Sequence, residues 1–311
     1  MMPRRRLLAA TAAVLLAAAG AGCGDESGGF GADGRLAVVT AFYPLEFLAR
    51  RIGADAVTVT ELTKPGSEPH DVELNPRQVA AISDAGLVVH LAGFQPAVDE
   101  AVAQEAADRA LDVGSVVPLL SPAADEHEHV PGEPEHAEGA KDPHVWLDPV
   151  RFATIADKLA ERLGQADPAR AAQYTARAAT LHGELDKLNA EYAAALRTCA
   201  RREIVTSHTA FHYLADRYGL TEVGITGISP ESEPSPQRLA RVAEQARSTG
   251  TTTIFFETLV SPKVAETIAR EVGARTAVLD PIEGITEAGS DYFTVMRANL
   301  SALTAALGCP S

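Results

Sequence analysis

The chain has 311 residues, 46% of them hydrophobic, enough to bury one large core or two modest ones. Its formal net charge is −15 at pH 7. A balance this acidic argues against nucleic acid and anionic membrane as partners and is compatible with attracting cations.

Arg4, Arg5 and Arg6 precede an apolar run from Leu7 to Ala21, and small residues lead on to Cys23. Basic, apolar, small is the order of a secretory signal peptide. The run is too short to span a bilayer comfortably, and no later stretch is apolar enough to do so. Gly20-Ala21-Gly22-Cys23 resembles a bacterial lipobox, with Gly20 where leucine is usual. Residues 1–22 are therefore expected to be the signal, Cys23 the lipid anchor, and 23–34 a flexible tether. Ordinary secretion, with Cys23 discarded or free, is the alternative, and export by a twin-arginine route stays open. Without the signal, 24 basic residues face 42 acidic ones, a balance of −18.

Residues 36–41 read as a buried strand, 44–52 as a helix and 57–62 as a second strand running into the turn Thr63-Lys64-Pro65-Gly66. Asn75-Pro76 opens a helix through Ala85, 87–91 is a strand, and Pro96 opens another helix. Residues 121–140 break this rhythm: three histidines (127, 129, 136) and six acidic residues with almost no apolar ones predict a mobile loop. Asp167 and Pro168 then suit the start of a long helix. Tyr174, Ala178, Leu181, Leu185, Leu188, Tyr192 and Ala195 recur at steps of four and three, one apolar stripe. An unbroken helix of about 30 residues would be ~45 Å long, enough to run along two lobes. After it come strands at 203–207, 221–226, 253–257 and 275–280 and helices at 211–218, 235–249, from Pro262, and 291–307.

Alternating strands and helices imply βαβ units with parallel sheets. The expected architecture is an N-terminal α/β lobe (35–166), a linking helix (167–198) and a C-terminal α/β lobe (199–311). No internal repeat is evident in sequence. Cys199 and Cys309 form an even pair, which suggests a disulfide in an oxidising compartment; two inert buried thiols are the alternative.

His70 follows a strand, His208 ends one, and the carboxylates Asp280 and Glu283 lie at and just past another. In open parallel sheets ligands bind beyond the carboxyl ends of strands. Two facing lobes could thus bring His70, His144, His208 and one carboxylate to a point, a donor set suited to tetrahedral zinc. Each histidine alone is more often a satisfied polar residue. His90 reads as core and His182 as exposed; His212 imitates a helical pair with His208, but strand changes to helix between them.

Residues 65–71 (PGSEPHD) resemble the PG-x-EPHD segment of metal-binding solute-binding proteins of ABC transporters, the cluster A-I family. Residues 142–149 (DPHVWLDP), 207–220 (SHTAFHYLADRYGL), 227–236 (GISPESEPSP), 254–257 (IFFE) and 279–284 (LDPIEG) resemble its further motifs, in family order. The resemblance implies two α/β lobes joined by one long helix, and it carries His70, His144 and His208 over as metal ligands. Manganese-type members place a glutamate where His208 stands, so the match is to the zinc-uptake subgroup. Members of that subgroup often carry a His- and acid-rich loop before the second motif.

For the fourth ligand both carboxylates stay open. Pro281 stiffens the backbone after Asp280 and Gly284 lets the chain bend away, which favours Glu283 as ligand and Asp280 behind it, accepting from a ligating imidazole. The function implied is capture of Zn2+ outside the cytoplasm by a monomer, lipid-anchored to the outer face of the cytoplasmic membrane, and delivery to an ABC permease, without catalysis and without nucleic acid. A zinc-dependent hydrolase and a surface adhesin are the alternatives.

Overall fold

In the computed structural model, which describes residues 29–122, 141–287 and 289–310, short β-branched runs build two four-stranded parallel sheets. The first contains β1 (Leu36–Thr40), β2 (Val57–Glu61), β3 (Leu87–His90) and β4 (Ala110–Asp112), in the order β2-β1-β3-β4. The second contains β5 (Glu203–Thr206), β6 (Thr221–Gly224), β7 (Thr253–Phe256) and β8 (Arg275–Val278), in the order β6-β5-β7-β8. The two orders are equivalent, so a repeat that the sequence does not display is present in the topology. Register matches as well: Leu36 to Thr40 pair with Val57 to Glu61, and Glu203 to Thr206 with Thr221 to Gly224. In each sheet the carboxyl ends of all four strands lie along one edge, where ligands of such sheets bind.

The helices between strands begin where the sequence places caps. α1 (Tyr43–Gly53) has Pro44 in its first turn. For α2 (Pro76–Asp84), Asn75 and Gln78 form a reciprocal capping box. α3 is Pro96–Glu105. In the second half, Ser235 caps α7 (Pro236–Ser248) and Asp291 caps α9 (Tyr292–Leu307), while α6 (His212–Tyr218) and α8 (Lys263–Val272) end on left-handed Gly219 and Gly273.

The linking segment departs from expectation. Within 167–198 a 3-10 turn at Pro168–Arg170 comes first, and the long helix is α5 (Ala171–Ala195); a further helix, α4 (Pro149–Ala166), precedes it where no helix was expected. Asp167 does not cap the second helix, because its carboxylate is taken by the Arg170 guanidinium at 2.7 Å and the Tyr174 hydroxyl at 2.8 Å. With 25 residues, α5 is ~37 Å long. Its stripe from Tyr174 through Tyr192 is buried, whereas Ala195 is only half-buried. Arg177 of α5 reaches the carbonyls of Ile52 and Gly53 in the first half, and Tyr192 donates to the Met296 carbonyl of α9 in the second. The helix α4 supplies its own apolar face, including Phe152, Ile155, Leu159 and Leu163, and packs along α5. Its cap, Asp148, is fully buried and also accepts a two-pronged bond from Arg217 of α6 at 2.9 and 2.6 Å.

One cluster of buried residues runs without a break from β1 and α1 through α4 and α5 to α6 and α9. A smaller one fills the far side of the second sheet, between β5, β7, α7 and α8. Nothing among the described residues is a helix long and apolar enough to cross a membrane. The signal segment, Cys23 and most of loop 121–140 lie outside the described residues, and the part of the expected tether that is described is not free. Gly29 accepts from Ala37 N at 2.8 Å, Phe30 bridges Leu36, and the Phe30 ring packs on the core. Gly29 has φ +91°, and a Cβ there would meet Gly86 Cα at 2.2 Å, so this return of the chain requires glycine. Cys199 and Cys309 are joined as a disulfide across 110 residues.

Candidate metal centre

Four segments each deliver one group, and each is fixed by a different device. His70 stands in the loop after β2. Its N–H donates to Glu68 at 3.0 Å, and Gln95 holds the preceding Pro69 carbonyl at 2.9 Å. The Phe94 ring meets the imidazole edge-on, 4.6 Å between centroids.

His144 precedes a 3-10 turn at Val145–Leu147. Asp142 Oδ1 accepts both the His144 backbone N–H at 2.9 Å and Nδ1–H at 2.8 Å, which fixes the tautomer and aims Nε2 away from the carboxylate. The Asp142 carbonyl is itself held by the Tyr213 hydroxyl at 2.7 Å.

His208 lies two residues past β5. Its Nδ1 donates to Glu257, 2.8 Å away at the end of β7, and Ser207 Oγ donates to the same carboxylate.

Glu283 sits on a turn after β8 that is gripped from several sides. Asn299 of α9 bonds both the N–H and the carbonyl of Asp280, at 2.9 and 2.7 Å. Asp280 accepts from Ile282 N at 2.7 Å and from Thr258 at 3.0 Å. Trp146 Nε1 donates to the Pro281 carbonyl at 2.7 Å. Ile282 takes φ +60°, a left-handed conformation that costs a β-branched residue about 1–2 kcal/mol and survives only where neighbours enforce it. This corrects two expectations. Ile282, not Gly284, makes the bend, and Asp280 supports the turn instead of accepting from an imidazole. Asp142 and Glu257 are the carboxylates that do so.

The four groups converge. Glu283 Oε1 lies 3.2 Å from His70 Nε2, 3.1 Å from His144 Nε2 and 3.4 Å from His208 Nε2, and the last two nitrogens are 3.3 Å apart. All four ligand atoms fall within 4.8 Å of one another. A tetrahedral ion with bonds of about 2.05 Å places its ligand atoms about 3.3 Å apart, which the three distances to Glu283 Oε1 and the His144–His208 distance match. His144, His208 and Glu283 are fully buried; the His70 side chain keeps 8% exposure. His90 and His182 lie elsewhere, each paired with an aspartate, Asp99 and Asp157 respectively.

The charges are mutually dependent. Burial pushes the Glu283 carboxyl up, but the His208 charge and hydrogen bonds from all three imidazoles outweigh it and hold the group well below the carboxylate range. Burial alone would lower His144 and His208. Asp142 and Glu283 instead raise His144 to about 9, and Glu257 and Glu283 raise His208 well above the ordinary imidazole value. For His70 burial prevails and the pKa is lowered, while Glu68 is pushed up to about 8 by burial and by Glu283. Without a metal ion, then, two imidazolium protons stand between Glu283 and the supporting carboxylates.

Asp142, Glu257, Glu68 and Trp146 support the centre without being expected to, although all four lie within the motifs at 65–71, 142–149 and 254–257. An aspartate two residues before a histidine was the available signal for the first.

With this geometry in hand, comparison with known proteins places the chain. Residues 38–306 match the model of the family described as zinc-uptake complex component A, periplasmic. The chain belongs to this family. Its relatives include a zinc-binding protein AdcA of Streptococcus pyogenes serotype M6, 38% identical over 289 residues, covering 88% of this chain. The chain spans only 56% of that relative's length. The high-affinity zinc uptake system protein ZnuA of Bacillus subtilis is 35% identical, covering 91% of this chain and 92% of the relative. Among solved structures, the laminin-binding protein Lmb of Streptococcus agalactiae, described as bifunctional with adhesin and metal-transporting activity, superposes with a TM-score of 0.77 at 32% identity. It covers 87% of this chain and 99% of Lmb. The two-lobed solute-binding fold of this family is the fold described above.

Proposed function

We propose that the chain is an extracytoplasmic zinc-binding protein that captures Zn2+ through His70, His144, His208 and Glu283 and delivers it to an ABC permease. The observation that supports this most is the convergence of three imidazole nitrogens on one carboxylate oxygen at separations a tetrahedral ion requires. Three neutral imidazoles with one carboxylate leave bound zinc at net +1, and imidazole donors suit zinc over harder ions. The AdcA and ZnuA relatives are named for zinc binding and zinc uptake, which agrees. His70, at the edge of solvent, is the side from which the ion enters and leaves.

Four protein ligands leave no open position for an activated water, which favours capture over hydrolysis. Adhesion draws on no feature of the buried centre. In this reading a signal at 1–22 exports the chain, acylated Cys23 holds it at the outer face of the membrane, and it works as a monomer with a lobe on either side of the linking helix.

The test is metal analysis of the purified protein with Zn2+, Mn2+ and Cu2+ in competition, for wild type and for His70→Ala, His144→Ala and His208→Ala. One tightly held zinc per chain is expected, weakened by orders of magnitude in each variant, since a nanomolar site corresponds to about 12 kcal/mol shared among few ligands. A wild-type chain that does not retain zinc, or a variant with unchanged affinity, overturns the assignment.

A further inference from the structure

Asp142 uses only one of its oxygens on His144: Oδ1 takes both bonds described above. The other, Oδ2, is buried without a hydrogen-bond partner, and so is Nδ1 of His212, 3.5 Å away. The two atoms face each other. His212 opens α6, its side chain is 27% exposed, and it therefore connects a sealed carboxylate to solvent. His144, Asp142 and His212 form a line from the metal centre to the surface.

We infer that His212 is a positioning residue of the metal centre, which sets zinc affinity through Asp142 by controlling how much of that carboxylate's charge remains to polarise His144. The inference rests on the zinc reading above. A supporting carboxylate raises the donor strength of a ligating imidazole, and changes to such partners typically alter metal affinity by about 10–100-fold. When His212 is neutral, Asp142 spends its charge on His144. Once His212 is protonated, Nδ1–H pulls the same charge outward and His144 becomes a weaker ligand.

The groups facing His212 make protonation accessible near neutral pH. Asp142 faces it from the segment before α4, Glu222 from β6, and Asp216 from its own helix; Arg151 of α4 pairs with Asp216 at 3.7 Å and lies over the Tyr213 ring. The Asp142 contact outweighs partial burial and raises the imidazole above its ordinary value. Because one edge is wet, His212 exchanges protons without opening the centre.

The experiment measures zinc affinity by chelator competition at pH 8.5 and 6.0 for wild type, His212→Gln and His212→Lys. All three lose affinity on acidification as protons compete for the ligands. His212→Gln should match wild type at pH 8.5 and lose about tenfold less at pH 6.0, and His212→Lys should bind about tenfold more weakly than wild type at pH 8.5. Equal shifts in both variants at both pH values, or a Gln variant that follows the wild-type profile, overturn the inference. Failure of the zinc reading looks different: wild type itself would not hold zinc at pH 8.5. Melting of the metal-free variants, with His212→Asn as a second neutral substitution, keeps the comparison among folded proteins.

Discussion

Glu283 Oε1 is the one atom that all three imidazole nitrogens approach, so Glu283→Ala is the most telling single perturbation, with Asp280→Ala three residues away as its control. If a nanomolar site of about 12 kcal/mol is divided among four ligands, each averages about 3 kcal/mol, a factor of about 10². Glu283 is the only anion of the four and should exceed that average, with a loss of about 10³-fold. The substitution also leaves the nitrogens of His144 and His208, 3.3 Å apart, without the carboxylate between them. Both cannot then stay charged, and the metal-free protein sheds a proton. Asp280→Ala removes bonds to Ile282 N and Thr258. It frees the strained turn but leaves every ligand in place, so about tenfold in affinity and about 1–3 kcal/mol in stability are expected. Chelator competition at fixed pH gives the first quantity and denaturant unfolding of the metal-free variants the second. If Asp280→Ala weakens zinc more than Glu283→Ala does, Asp280 is the ligand and the reasoning fails.

Zinc capture should release about two protons near neutral pH, one each from His144 and His208, so that affinity rises steeply as pH climbs through neutrality. The raised His144 value stabilises the metal-free fold in full below the unfolded value of 6.5, a contribution lost as pH climbs through about 9; calorimetry in buffers of different ionisation enthalpy that finds fewer than one proton counts against both statements. His208→Glu should raise manganese affinity relative to zinc while zinc still binds measurably, because a hard carboxylate replaces an imidazole; an unchanged ratio in competition assays would mean that lobe geometry sets the choice. Replacing Cys199 and Cys309 with serine removes a crosslink over 110 residues, which should cost about 2–5 kcal/mol in denaturant unfolding and leave zinc affinity intact, the bond lying outside the centre.

Much of the fold was legible because the elements are short, capped and periodic. Asn75-Pro76 and Ser235-Pro236 mark helix starts where the structure has them, and the alternation of strands and helices forces parallel sheets. The helix α4 is absent from the expected elements, although Phe152, Ile155, Leu159 and Leu163 carry a clear helical period beyond the motif at 142–149. The strand β4 has three residues and no room for a pattern. Asp167 looked like a cap because sequence cannot show that Arg170 and Tyr174 claim its oxygens first. At the centre, spacing alone left each histidine ambiguous, and resemblance supplied the set that the fold then brings together. The supporting carboxylates stayed hidden because their role exists only in three dimensions: Glu257 is 49 residues from His208.

The unbroken core from α1 to α9 limits how this protein can move. Phe47 of α1 stacks on Tyr292 and meets Phe293 of α9, with centroids 5.4 and 5.8 Å apart, so the first half of the chain is packed against the last helix. Swinging the halves apart like jaws would wet such rings, each burying about 150–250 Å² at about 25 cal/mol per Å², or roughly 4–6 kcal/mol per ring. Thermal fluctuation does not supply several of those at once. In the zinc reading proposed above, the ion then comes and goes by local yielding, the partly exposed loop bearing His70 first, while the frame and the firmly held Glu283 turn keep their shape. A partner that unloads the ion need not pull the frame open; it need only press on a loop.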